Sequence, residues 1–80
     1  MNVLLFGIAK DIVGASLLPI EEQNNHPTNV KELKEFLVFK YPKFQELSSL
    51  AIAVNSNYAT DETNLNTNDE IAVIPPVSGG

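Results

Sequence analysis

Residues 70–80 read Glu70-Ile71-Ala72-Val73-Ile74-Pro75-Pro76-Val77-Ser78-Gly79-Gly80, an apolar strand pattern that runs straight into a proline pair and a diglycine. Each proline fixes φ near −65°, and the residue before a proline is pushed toward extended backbone, so Pro75 and Pro76 make a stiff stalk. Gly79 and Gly80 have no Cβ and can enter a channel too narrow for any other residue. The α-carboxylate of Gly80, with a reference pKa of roughly 3.3–3.7, is ionised at neutral pH. As an anion it can attack an activated phosphate, but it is a poor acyl donor until activated. Gly80 is therefore the candidate reactive residue. Pro75, Pro76, Val77, Ser78 and Gly79 form the segment that would carry it into another protein's site. The competing reading is a frayed terminus, where small residues often collect.

The rest of the composition narrows the chemistry. Eighty residues make one small domain, above the size that needs disulfides or a metal to fold. At 44% hydrophobic residues the chain has enough for one core. It has no cysteine, so thiolate zinc sites, disulfides and thiol nucleophiles are excluded, and any sulfur must arrive from outside. A net charge of −5 argues against sequence-independent nucleic-acid binding and suits a basic protein surface as partner. Val3–Ile8 is far too short to span a membrane, and no basic segment precedes it, so neither an anchor nor a secretory signal is expected. A soluble cytoplasmic protein is the expectation.

Back along the chain, Val3-Leu4-Leu5-Phe6-Gly7-Ile8 reads as a strand covered on both faces. Ala9–Val13 predicts one helical turn stopped by Gly14. Ser16–Ile20 predicts a second strand, which Pro19 confines to a sheet edge, and Glu21–Pro27 a polar loop. Asn29 with Glu32 three residues on is a helix start. Val30, Leu33, Leu37 and Tyr41 then fall on one stripe with Phe36 at its border, until Pro42 stops the helix. Val38 and Phe39 lie off that stripe and call for a loop or a partner to cover them. Phe44, Leu47 and Leu50 are anchors of an irregular segment. Ala51–Asn55 is a half-buried strand, Asn55-Ser56-Asn57 a turn, and Tyr58-Ala59 its return. Asn66–Asp69 is a second turn, and Glu70–Ile74 the last strand. The order predicts an α+β domain: a mixed sheet of about five strands with one main helix across one face, residues 1–75, followed by an extended tail, residues 76–80.

Period-two alternation sorts the strands into two faces. With Val3, Leu5, Ile52, Val54, Ile71 and Val73 toward the helix, Leu4, Phe6, Ala72 and Ile74 point outward. Large apolar groups there mark a protein partner, unless loops cover them.

These residues resemble the ubiquitin-like β-grasp sulfur carriers of the molybdopterin synthase small-subunit family. The likeness rests on Phe6–Gly14, on Ala53-Val54-Asn55, and above all on Asp69–Gly80 with its Pro-Pro-Val-Ser-Gly-Gly ending. The resemblance implies a cycle. A ubiquitin-activating-type enzyme uses ATP to adenylate Gly80, and a sulfur donor converts the acyl-adenylate to a thiocarboxylate. The tail then delivers that sulfur to cyclic pyranopterin monophosphate inside the large synthase subunit. By matching position, Phe6, Tyr58 and Ile74 would contact the large subunit, in a two-plus-two complex. The chain would be a non-catalytic co-substrate with no cofactor or metal of its own, and with no nucleic-acid or membrane partner. Lys10-Asp11 stand where the family often has Arg-Glu, losing bidentate geometry and a methylene, which leaves their role open. Asn68 stands where glycine is common in the last turn, and Asn is the next-best residue at positive φ.

Other constellations read as solvated surface. His26 is alone in its loop, Glu21-Glu22 and Asp61-Glu62 lack a pocket, and Gly7 and Gly14 are too isolated to cradle a phosphate. Three other functions stay open: a carrier for thiamin thiazole or tRNA thiolation, a ubiquitin-like modifier forming isopeptide bonds through Gly80, and a plain β-grasp interaction module with an inert tail.

Overall fold

A computed structural model describes residues 1–20, 27–47 and 50–75. Strand β1 (Asn2–Leu5) lies in a five-stranded sheet between β2 (Leu17–Pro19) and β5 (Ile71–Ile74), with β3 (Ala51–Val54) and β4 (Asn57–Tyr58) completing it in the order β2-β1-β5-β3-β4. β1 and β5 run parallel, and every other neighbouring pair is antiparallel. This is the mixed sheet expected from the element order, in the β-grasp arrangement that the resemblance implied.

The apolar run Val3–Ile8 is not one strand. It breaks at Phe6, where Gly7 turns into left-handed backbone at φ +54 and starts helix α1 (Gly7–Val13). The carbonyl of Phe6 accepts from the backbone N–H of Ala9 at 3.1 Å and of Lys10 at 3.4 Å, so Ile8 belongs to the helix. The helical turn expected over Ala9–Val13 is thus a longer helix that begins at Gly7, beside the one main helix expected. Gly14 ends α1 as expected, at φ +87 with its N–H donated to Lys10 at 2.8 Å. Pro19 sits on the edge strand, paired with Asn2, where its missing donor costs nothing in the ladder.

Helix α2 (Val30–Lys40) buries Val30, Leu33 and Leu37 completely, with Phe36 and Tyr41 half-buried at its border. Its N-cap is the expected Asn29, whose Oδ1 accepts from the N–H of Glu32 at 2.8 Å. The reciprocal bond is shifted by one residue: Glu32 Oε1 accepts from both the N–H and the hydroxyl of Thr28, at 2.9 and 2.8 Å. The first-turn donors Val30 and Lys31 are satisfied by the carbonyls of Thr63 and Asp61, each at 3.0 Å, which ties the helix start to a distant loop. After Tyr41 the chain does not become irregular. Pro42 opens a 3₁₀ turn (Pro42–Glu46), and that turn places Phe44 in the core.

The β3–β4 hairpin turns on two residues only, Asn55 at φ +51 and Ser56 at φ +71, the both-positive pair of the turn whose twist matches its strands. The return strand therefore begins at Asn57, one residue earlier than Tyr58. Asn68 does not take positive φ. The second turn closes instead through the N–H of Asp69 to the carbonyl of Asn66 at 3.0 Å, and needs no left-handed residue. Val3, Leu5, Ile52, Ile71 and Val73 face α2 and are shut off from solvent. Val54 shares their face in register with Ile71 but is half-buried.

Candidate functional site

The opposite face of the sheet carries the candidate site. Register aligns Leu17, Leu4, Ala72, Ala53 and Tyr58 in one row across all five strands. The short Ala53 and Ala72, paired in the middle of the row, leave a depression between larger neighbours. A groove of about 300 Å³ results, lined by Leu4, Phe6, Ala53, Tyr58, Ala72 and Ile74, with Ser56 and Glu70 adding polar groups. Phe6 is 51% and Tyr58 75% exposed, while Ile74 is half-buried. The three residues expected to meet a partner thus line one apolar groove, and no loop among the described residues hides them.

Sequence reasoning missed several members of this surface, Glu70 among them. Ala53 is buried although it belongs to the outer row. Its register opposite Ala72 was the available signal. Leu17, 44% exposed, extends the row onto the edge strand. Ser56 comes to the groove through the tightness of the hairpin.

The chain leaves the groove at Pro75, which is half-buried. Its Cγ lies 3.2 Å from the position a Cβ on Gly7 would take. The rest of the expected working segment, Pro76, Val77, Ser78, Gly79 and Gly80, lies outside the described residues, as do Glu21, Glu22 and His26.

The rim is held by a small polar clamp. Asn55 donates its amide to Asp69 Oδ1 at 3.0 Å, and Asn55 Oδ1 accepts from the N–H of Glu70 at 2.9 Å. Asp69 Oδ2 accepts from the N–H of Asn66 at 2.8 Å. That backbone donor, followed by the Asn55 amide, holds the Asp69 carboxyl below its ordinary value. Asp61 is structural as well: its carboxylate meets Lys34 at 2.8 Å beside the capped start of α2. Lys10 and Asp11 are exposed on α1, with Asp11 on a separate cleft between α1 and the 3₁₀ turn. Among the described residues no group of three or more His, Cys, Asp or Glu side chains is placed to hold a metal ion. No helix among them is long and apolar enough to cross a membrane.

A family model described as the ThiS family matches residues 3–80. The chain belongs to the ThiS family. A relative from Arabidopsis thaliana named molybdopterin synthase sulfur carrier subunit is 38% identical over 81 residues, covering all of this chain and 82% of the relative. The solved structure of small archaeal modifier protein 1 from Methanosarcina acetivorans is 28% identical with a TM-score of 0.77, covering 99% of this chain and 94% of that one. A chain in the solved complex of subunits 1 and 2 of molybdopterin-converting factor from Helicobacter pylori is 29% identical with a TM-score of 0.64, covering 99% and 96%. The groove and the Pro75 exit are thus features of a ThiS-family β-grasp domain.

Proposed function

We propose that this ThiS-family chain is the sulfur carrier subunit of molybdopterin synthase and works in the cytoplasm as a protein co-substrate. Residues 1–75 are the holder and residues 76–80 the working tail. The Gly80 carboxylate attacks ATP in a ubiquitin-activating-type enzyme, releasing pyrophosphate and leaving an acyl-adenylate. A donor supplying sulfur at the sulfide level displaces AMP and leaves a thiocarboxylate. In the large synthase subunit that sulfur passes to cyclic pyranopterin monophosphate, and water returns the tail to its carboxylate.

What carries this reading is a likeness to a named sulfur carrier that runs the full length of this chain, tail included. The groove supports it physically. Phe6, Tyr58 and Ile74 give a large subunit an apolar surface directly beside the tail's exit, so docking and delivery are coupled. The catalytic groups belong to the partners, and the complex is a two-plus-two assembly in which each large subunit takes one carrier.

The likeness to a protein named a modifier makes isopeptide formation the second reading. Intact-mass measurement after incubation with ATP, a cognate activating enzyme and a sulfur source separates the two. Replacement of one oxygen by sulfur is the expected result. Lysine-linked adducts in place of that shift would sink the carrier reading.

A further inference from the structure

Gly7 and Gly14 both take left-handed backbone, at φ +54 and φ +87, yet their surroundings differ. A Cβ built on Gly14 meets nothing within 4 Å, whereas one on Gly7 would stand 3.2 Å from Pro75 Cγ. That is inside the roughly 3.5–4.0 Å at which carbon atoms attract best. The approach follows from the sheet. β1 and β5 are parallel with Leu5 opposite Val73, so the start of α1 meets the residue just past β5. The pyrrolidine ring of Pro75 is covalently part of the main chain, so a push on it beyond what the ring pucker absorbs moves the Pro75 backbone.

We propose that Gly7 is a positioning residue for the tail. By having no side chain it seats the Pro75 ring, and so sets the direction in which the main chain leaves β5 at Pro75. This rests on the sulfur-carrier reading for its consequence in catalysis. A group delivered into another protein's site is sensitive to aim, and a misplacement of about 1 Å can cost about a hundredfold in rate.

The molecule supplies its own control. Gly7→Ala and Gly14→Ala both force a side chain into left-handed backbone, but only the first presses on the stalk. Asn tolerates that backbone, so Gly7→Asn adds the Cβ with less risk to folding. Three quantities are measured for the full chain: the unfolding midpoint, the affinity for the large subunit, and the single-turnover rate of sulfur transfer at saturating large subunit. Gly14→Ala is expected to lower the midpoint and leave the transfer rate unchanged. Gly7→Ala and Gly7→Asn are expected to slow transfer about tenfold or more, with affinity within about twofold of the unsubstituted chain. Measured against Pro75→Ala alone, adding Gly7→Ala is expected to slow transfer much less, because the ring it would strike is gone. Equal transfer rates in Gly7→Ala and Gly14→Ala, or no coupling to Pro75→Ala, would overturn the proposal.

A second readout does not depend on sulfur. A spin label attached through Ser78→Cys reports the tail's direction by broadening amide signals on the sheet. A broadening pattern altered by Gly7→Asn but not by Gly14→Ala is expected. An unaltered pattern overturns the seat, even in a protein that never accepts sulfur.

Discussion

The Asn55 side chain ties the β3–β4 turn to the chain just before β5, donating to the Asp69 carboxylate Oδ1 at 3.0 Å and accepting from the N–H of Glu70 at 2.9 Å. The Asp69 carboxyl is held low first by the Asn66 N–H and then by this amide. A carboxyl lowered in the folded state contributes stability that is fully present above its unfolded pKa, about 3.9, and is lost as pH falls through the folded value. Asp69→Asn is therefore expected to lower stability at pH 7, with the difference from the unsubstituted chain closing as pH falls below the unfolded value of about 3.9 and through the lowered folded one. Urea unfolding between pH 2 and 7 checks this, and a constant offset across that range would contradict the clamp.

Tyr58 presents a different balance, since three-quarters of its surface faces solvent. Tyr58→Ala should change folding stability by no more than about 0.5 kcal/mol. If the groove is where the large subunit docks, the same substitution should weaken that complex by about tenfold or more. Calorimetric titration alongside thermal unfolding separates the two effects.

Leu37 is fully buried on the core stripe of α2. Leu37→Ala should cost about 2–5 kcal/mol, by lost transfer energy and the cavity left behind. In a domain of this size that is enough to show as partial unfolding near room temperature. A cost under about 1 kcal/mol, read from urea midpoints, would mean the site collapses far more readily than a close-packed core allows.

Deletion of Gly80 should leave the thermal midpoint and the affinity for the large subunit unchanged while ending sulfur delivery. Molybdopterin formation by the truncated chain would count decisively against the proposed mechanism.

Helix α2 was legible because its signals are local: Asn29, Glu32, a stripe at helical spacing and Pro42 all lie within one short window. The outer face was legible through alternation, which puts Leu4, Phe6, Ala72 and Ile74 on one side. The break between Phe6 and Gly7 was not legible. Apolar residues flank it on both sides, and the Pro75 ring that crowds a Cβ at Gly7 comes from the far end of the sequence. The shift of the Glu32 contact to Thr28 was hidden for the opposite reason, since neighbouring residues offer the same backbone donor. Phe39 is 87% exposed, so no loop among the described residues covers it.

The parallel pairing of β1 with β5 bears on biogenesis. The strand in the middle of the sheet is the last of the five in sequence, so the two strand pairs that flank it cannot join through it until synthesis has passed Ile74. A prematurely terminated product lacks its central strand and is exposed to proteolysis. Quality control is then built into the topology, because only a completed globule can offer a tail for charging.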